Sequence, residues 1–198
     1  MKKILIGGIA GGVALFIWSA LAWTVLPLHK PSMHSIPNED AVISALKTNI
    51  GTKGVYLFPA LPGSTGDTPA EQPSAAMESA TRKMQQGPVG LIVYDPSGTD
   101  PFMASQFIVG LILDLVAAFL AGWFLSRSTA LASSFFSRVM FCGVLGIFVS
   151  LASYLPGWNW MGYPMDYTTA MVADTIAGWL IAGIAIAAIV KPSAAQEA

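Results

Sequence analysis

Two aspartates, Asp114 and Asp174, stand almost alone in long uncharged stretches, and they are the residues of this chain best placed to do chemistry. An ionised side chain at the centre of a bilayer costs about 2.5–3.5 kcal/mol even on the gentler insertion scale. A carboxyl group in such a stretch must therefore be protonated, bind a cation or face a polar cavity. No Lys, Arg or His lies inside either stretch to neutralise it, and Gln106 is a further polar group two turns ahead of Asp114. Two roles follow from this chemistry. The carboxyl is neutral and hydrogen-bonded between helices, or it carries a proton or a cation. The deeper Asp114, flanked by small residues, is expected to be the interhelical bond, and Asp174 the ionised group.

A second set of chemistry-bearing residues is His29, Met33 and His34, just beyond the first apolar stretch. Imidazole and thioether ligands suit copper. Seven of the nine methionines (33, 77, 84, 103, 161, 165 and 171) fall on or near the same side. The spacing is no established metal motif, and Pro31 breaks a shared helical face; anchoring or hydrogen-bonding histidines are the alternative. The pair Glu39-Asp40 suits a helix's first turn better than acid–base catalysis. The sequence contains no phosphate-binding Gly-Lys loop, serine elbow or zinc signature. Cys142, the sole cysteine, lies in an apolar run and reads as a small buried hydrophobe. No catalytic residue and no cofactor other than copper is indicated.

The elements that must position these groups are membrane spans. Of 198 residues, 54% are apolar and 11% charged, against about 25% charged in a soluble domain. Ile4 to Leu28 has no charge, Pro101 to Ser126 only Asp114, Val139 to about Tyr154 none, and Thr168 to Val190 only Asp174. About 20 predominantly apolar residues suffice to cross the hydrocarbon. The fold class expected is thus a four-helix transmembrane bundle with a small α/β insertion. Its parts are helix 1 (1–28), a module (29–100), helix 2 (101–126), a loop (127–138), helix 3 (139–156), an aromatic loop (157–168), helix 4 (169–190) and a tail (191–198). Along its helix Asp114 should lie about 15 Å from the boundary, with Asp174 shallower. Met1-Lys2-Lys3 with Ala20-Leu21-Ala22 also resembles a cleaved signal, but the apolar stretch exceeds a typical signal core of about 7–15 residues, and a retained helix is expected.

Lys2, Lys3, Arg127, Arg138 and Lys191 fall on one side of the spans, which the positive-inside pattern makes cytoplasmic. Both termini are then inside a bacterial-type inner membrane, and residues 29–100, with five basic and seven acidic residues, are outside. Trp158, Trp160, Tyr163 and Tyr167 would form an outer aromatic belt. A net charge of −1 argues against a nucleic-acid partner.

Within the outer module, Glu39 onward reads as a helix, Gly54 to Pro59 as a strand, Leu61 to Pro73 as a loop, Ser74 to Gln86 as a second helix and Val89 to Tyr94 as a second strand. So small a core is marginal alone and should lean on another surface. In the spans, Gly110, Asp114, Ala118 and Gly122 share one ridge with Gln106, and Asp174, Gly178 and Ala182 form another with Ala170. Small residues at such spacing let helices pack closely in lipid. Asp114-Leu-Val-Ala-Ala-Phe-Leu120 resembles Asp174-Thr-Ile-Ala-Gly-Trp-Leu180, and Ile17–Ala22 resembles Ile147–Ala152. These matches fit either a duplicated hairpin or the accidents of apolar sequence.

The reading expected first is a non-enzymatic accessory or scaffolding membrane protein whose outer module contacts other membrane or periplasmic proteins, or a second copy. The alternative is a small oligomeric ion- or proton-coupled channel or carrier built on Asp114 and Asp174. Outer-face copper handling is third.

Overall fold

The long uncharged runs all become helices. The computed structural model of the chain describes residues 1–66, 74–131 and 134–192. In chain order the elements are α1 (Lys2–Thr24), α2 (Glu39–Asn49), β1 (Gly54–Phe58), α3 (Ser74–Gln86), β2 (Gly90–Tyr94), α4 (Ala104–Arg127), α5 (Phe135–Met161) and α6 (Met165–Ile189). They form two compact units, Met1–His34 with Asp100–Ala198, and Ser35–Thr99.

In the first unit α1, α4, α5 and α6 have 23, 24, 27 and 25 residues. At 1.5 Å per residue, that is roughly 35–40 Å each, enough to cross about 30 Å of hydrocarbon. Their outward faces are apolar: Leu5, Ile9, Leu113, Val116, Phe148 and Leu151 are all exposed. A water-soluble protein does not display apolar surface on this scale; it is the surface of a membrane-spanning protein.

What lies between the helices is small. An added Cβ at Gly8 would sit 2.8 Å from Phe119 Cα, and one at Gly12 would sit 2.6 Å from Leu115 Cα. The two backbones therefore meet along α1 and α4 as they could not with any side chain there. Gly7 and Gly11 present the neighbouring face of α1 to Val190 and Ile186 of α6. Gly143 and Gly146 of α5 take Leu180 and Trp179 of α6. In all three pairs residue numbers rise on one helix as they fall on the other, so the neighbours are antiparallel. Leu15, Ala118, Leu125, Cys142, Ala182 and Ile186 fill the core between them.

The helices stand in the order α4–α1–α6–α5, and α4 barely touches α5. A hairpin duplicated about an axis along the bundle would give α4 and α5 a seam equal to that between α1 and α6. The packing gives no support to that duplication.

Local chemistry sets the helix ends. Pro27 disfavours helical backbone at Leu26, and α1 stops at Thr24. Ser134 caps α5 by accepting from the Ser137 N–H at 3.4 Å. The third span differs from expectation: α5 runs through Pro156 to Met161, so Trp158 and Trp160 are helical. Spans tolerate an internal proline when neighbours compensate for the lost bond. Gly162, at φ 71°, ends the helix in the left-handed conformation that glycine adopts without penalty. The expected aromatic loop shrinks to Gly162–Pro164, because α6 opens at Met165, with Asp166 in its first turn. At the other end of the bundle Arg138, 5% exposed, donates from Nε to the Ala187 carbonyl at 3.2 Å. A cation there complements the dipole of α6 and satisfies one of its terminal carbonyls.

In the second unit β1 and β2 pair antiparallel, Gly54 opposite Tyr94 and Phe58 opposite Gly90. Lys53 and Asp95 close one end of the ladder with a 2.7 Å ion pair. Asp95 is held down to about 2 by the hydrogen bond from Lys53, then by those from Ser97; Asp95 in turn raises Lys53. None of the described residues between Ser35 and Thr99 is buried. Val55 and Val93, cross-strand partners, are 63% and 77% exposed. The segment 67–73, expected as part of a loop, lies outside the described residues.

Candidate functional site

Asp174 is the best-held polar side chain of the bundle. The stripe of α1 that carries Gly7 and Gly11 also carries Trp18 one heptad after Gly11, which turns the indole toward α6. Trp18 Nε1 donates to Asp174 Oδ1 at 2.7 Å and to the Asp174 carbonyl at 3.2 Å. Gly178, one turn further along α6, makes room: an added Cβ there would lie 2.9 Å from Trp18 Cδ1.

The second partner comes from outside the helices. Beyond Pro27 the chain makes a single 3-10 turn, Lys30–Ser32, and His29 at its start folds back onto α6. His29 Nε2 is 3.2 Å from Asp174 Oδ2, and the two side chains are only 4% and 13% exposed. Trp23 stacks on the imidazole, centroids 3.9 Å apart and planes 15° from parallel. The other ring nitrogen, His29 Nδ1, is buried with no hydrogen-bond partner among the described residues. No Lys, Arg or His lies within the apolar stretches that carry the two acids, yet a basic side chain reaches Asp174 from just outside them. His29 lies outside the span in sequence, but the turn after α1 returns it to the bundle.

Asp114 is in the opposite situation. Among the described residues no group hydrogen-bonds its carboxyl, so the interhelical bond expected at Asp114 is made at Asp174 instead. The two acids lie at different levels of the bundle. Leu115, next to Asp114, meets Gly12 of α1, whereas Asp174 meets Trp18, six residues further along α1. At 1.5 Å per residue that separates them by roughly 9 Å along the axis.

Both carboxylates line one cavity of about 410 Å³. It lies over the seam between α1 and α6, with Leu113, Asp114 and Ala117 of α4 on one side and Val149 and Tyr154 of α5 on the other. Trp18, Trp23 and Trp179 contribute to its wall, with Ser19 and Thr175 as further polar groups. Among the described residues no Lys, Arg or His lines it. Chemically the cavity offers one carboxylate fixed by an indole and an imidazole, one carboxylate free to exchange its partner, and four aromatic rings.

Gln106 is exposed on α4 and does not line the cavity. Ala118, Gly122, Gly178 and Ala182 are buried in the helix seams, whereas Gly110 meets only Phe16, 3.9 Å from where its Cβ would lie. His29 is turned inward while Met33 and His34 are exposed. Among the described residues no three His, Cys, Asp or Glu side chains form a group able to hold a metal ion. Trp18, Trp23, Tyr154 and Trp179 escaped the sequence reading. Only Trp18 carried a signal there, its place on the glycine stripe of α1. Compared with models of protein families, with curated proteins and with solved structures, the chain matches none of them.

Proposed function

We propose that this chain is a small membrane carrier or channel component whose working element is the cavity between α4 and α5, with Asp114 as the group that exchanges a proton or another cation. One observation carries this reading: two acids from different helices line the same cavity, one of them fully engaged and the other without a partner. An isolated carboxylate in a span is costly, and uptake of a cation or proton removes that cost. The titratable groups facing Asp114 across the cavity are Asp174 and Tyr154. Asp174, Trp18 and His29 fix the seam of α1 and α6 and serve as the rigid wall. The proposed setting is a bacterial-type inner membrane, with both termini cytoplasmic and residues 35–99 outside, on the distribution of basic residues. The test is flux in proteoliposomes under an imposed pH or cation gradient. Wild type should conduct, and Asp114→Asn should be silent while retaining its helical content. Equal flux in both, or none in wild type, would refute the reading.

A second reading, an accessory protein whose 35–99 module docks a partner, is favoured by the absence of any buried residue among the described residues of that module. Two short strands without a covered face are marginal alone. Amide exchange over 54–58 and 90–94 should then be slower in native membranes than in the purified chain. Equal rates would count against a partner.

A further inference from the structure

We infer that the ligand of this cavity is an organic monocation with apolar substituents, of the quaternary ammonium or phosphonium type, and that Asp114 is its counter-ion. The inference rests on the carrier reading and names its substrate class. Size is the first argument. A volume of about 410 Å³ is in the range of small-molecule sites, about 300–1,000 Å³, and far exceeds a bare ion.

Charge is the second. Among the described residues the lining holds two acids and no base, and Asp174 already has Trp18 and His29 as hydrogen-bond partners. Asp114 is the acid left without a partner, and it suits a cationic group. The wall is the third. Trp18, Trp23, Tyr154 and Trp179 line the same cavity as the two acids, with one face of Trp23 covered by His29, and the negative faces of such rings attract ammonium groups, most strongly where water is excluded.

An inorganic cation fits the same wall poorly. Calcium takes about 6–8 oxygen ligands, and magnesium an octahedron of them, while copper or zinc requires a set of nitrogen or sulfur donors. Among the described residues no His, Cys, Asp and Glu group of three exists to supply either. The slack contact between α4 and α5, which bound the cavity on its two sides, leaves the apolar arms of a ligand a lateral route.

The experiment is equilibrium binding of labelled methyltriphenylphosphonium to the full chain in lipid nanodiscs. Unlabelled triphenylphosphine oxide, a neutral molecule of nearly the same shape, is one competitor, and sodium and magnesium are the others. Saturable binding should be displaced by excess phosphonium and by none of the three competitors. Asp114→Asn should weaken it by at least about tenfold and Asp114→Glu should restore it. Tyr154→Leu should weaken it by about three- to tenfold and Tyr154→Phe by less than about twofold. If Asp114→Asn does not fold, the Tyr154 pair decides alone. Competition by the phosphine oxide would show simple apolar partitioning, and competition by sodium or magnesium an inorganic site. Either result, or equal binding by Asp114→Asn or by Tyr154→Leu, overturns the inference. If proteoliposomes still show Asp114-dependent flux of protons or alkali cations, the substrate class falls and the carrier reading stands. If neither binding nor flux is found, both fall.

Discussion

Replacing Trp18 by Phe removes the indole N–H and leaves a ring in its place. The bond lost is short, 2.7 Å to Asp174 Oδ1, with a second contact of 3.2 Å to the Asp174 carbonyl. Interhelical hydrogen bonds in membranes average about 0.6 kcal/mol and reach about 1.7. A bond to a carboxylate is stronger than the mean, so Trp18→Phe should cost about 1.5 kcal/mol. Asp174→Ala removes that bond as well and strands His29 Nε2, which is buried on a residue only 3% exposed. An abandoned buried donor adds about 1–3 kcal/mol, for a total of about 3. Asp114→Asn removes no hydrogen bond and should cost less than about 0.5 kcal/mol. The assay is reversible unfolding in mixed micelles, followed through the reactivity of Cys142, the single cysteine and fully buried in the core. If Asp114→Asn destabilises the chain as much as Asp174→Ala does, Asp114 is the interhelical bond and the division of labour argued above is wrong.

Gly12→Ala should force α1 and α4 apart, because its Cβ would lie 2.6 Å from Leu115 Cα, whereas Gly110→Ala, with no atom nearer than 3.9 Å, should be neutral in the same unfolding assay. Asp95 should titrate near 2 by carbon NMR of labelled aspartate and rise toward its ordinary 3.8 in Lys53→Met without reaching it, because the Ser97 hydrogen bonds remain. Its folded value is depressed, so the small stabilisation it gives is complete above the ordinary value and is lost as pH falls toward 2; an unchanged midpoint in Lys53→Met would refute the pairing. In the proposed orientation, cysteines at Ser64 and Ser97 react with an impermeant thiol reagent in intact cells, and one at Thr129 reacts only after lysis. Labelling at Thr129 in intact cells would invert the topology.

Four spans were legible in the sequence because uncharged length is a direct consequence of hydrocarbon thickness, and nothing in the tertiary structure overrides it. The glycine ridges were legible for a similar reason: residues four apart share a face wherever the helix goes. The end of α5 was not. A proline reads as a stop, yet a span can carry one, and the left-handed Gly162 sets the end instead. The site was half legible. Asp114 and Asp174 stood out because a carboxyl group in an apolar run demands compensation, but sequence offered no way to assign it. The compensation for Asp174 depends on a turn after Pro27 that returns His29 to the bundle, and on a contact between residues 156 positions apart. Neither leaves a periodic trace. The same distance between partners explains why the interhelical hydrogen bond expected at Asp114 is found at Asp174.

Infrared difference spectroscopy of the chain in lipid, between high and low pH, tests most directly whether Asp114 exchanges its charge. The account predicts a protonated-carboxyl band that appears on acidification, persists in Asp174→Asn and vanishes in Asp114→Asn. A band untouched by Asp114→Asn, or one removed only by Asp174→Asn, would contradict it.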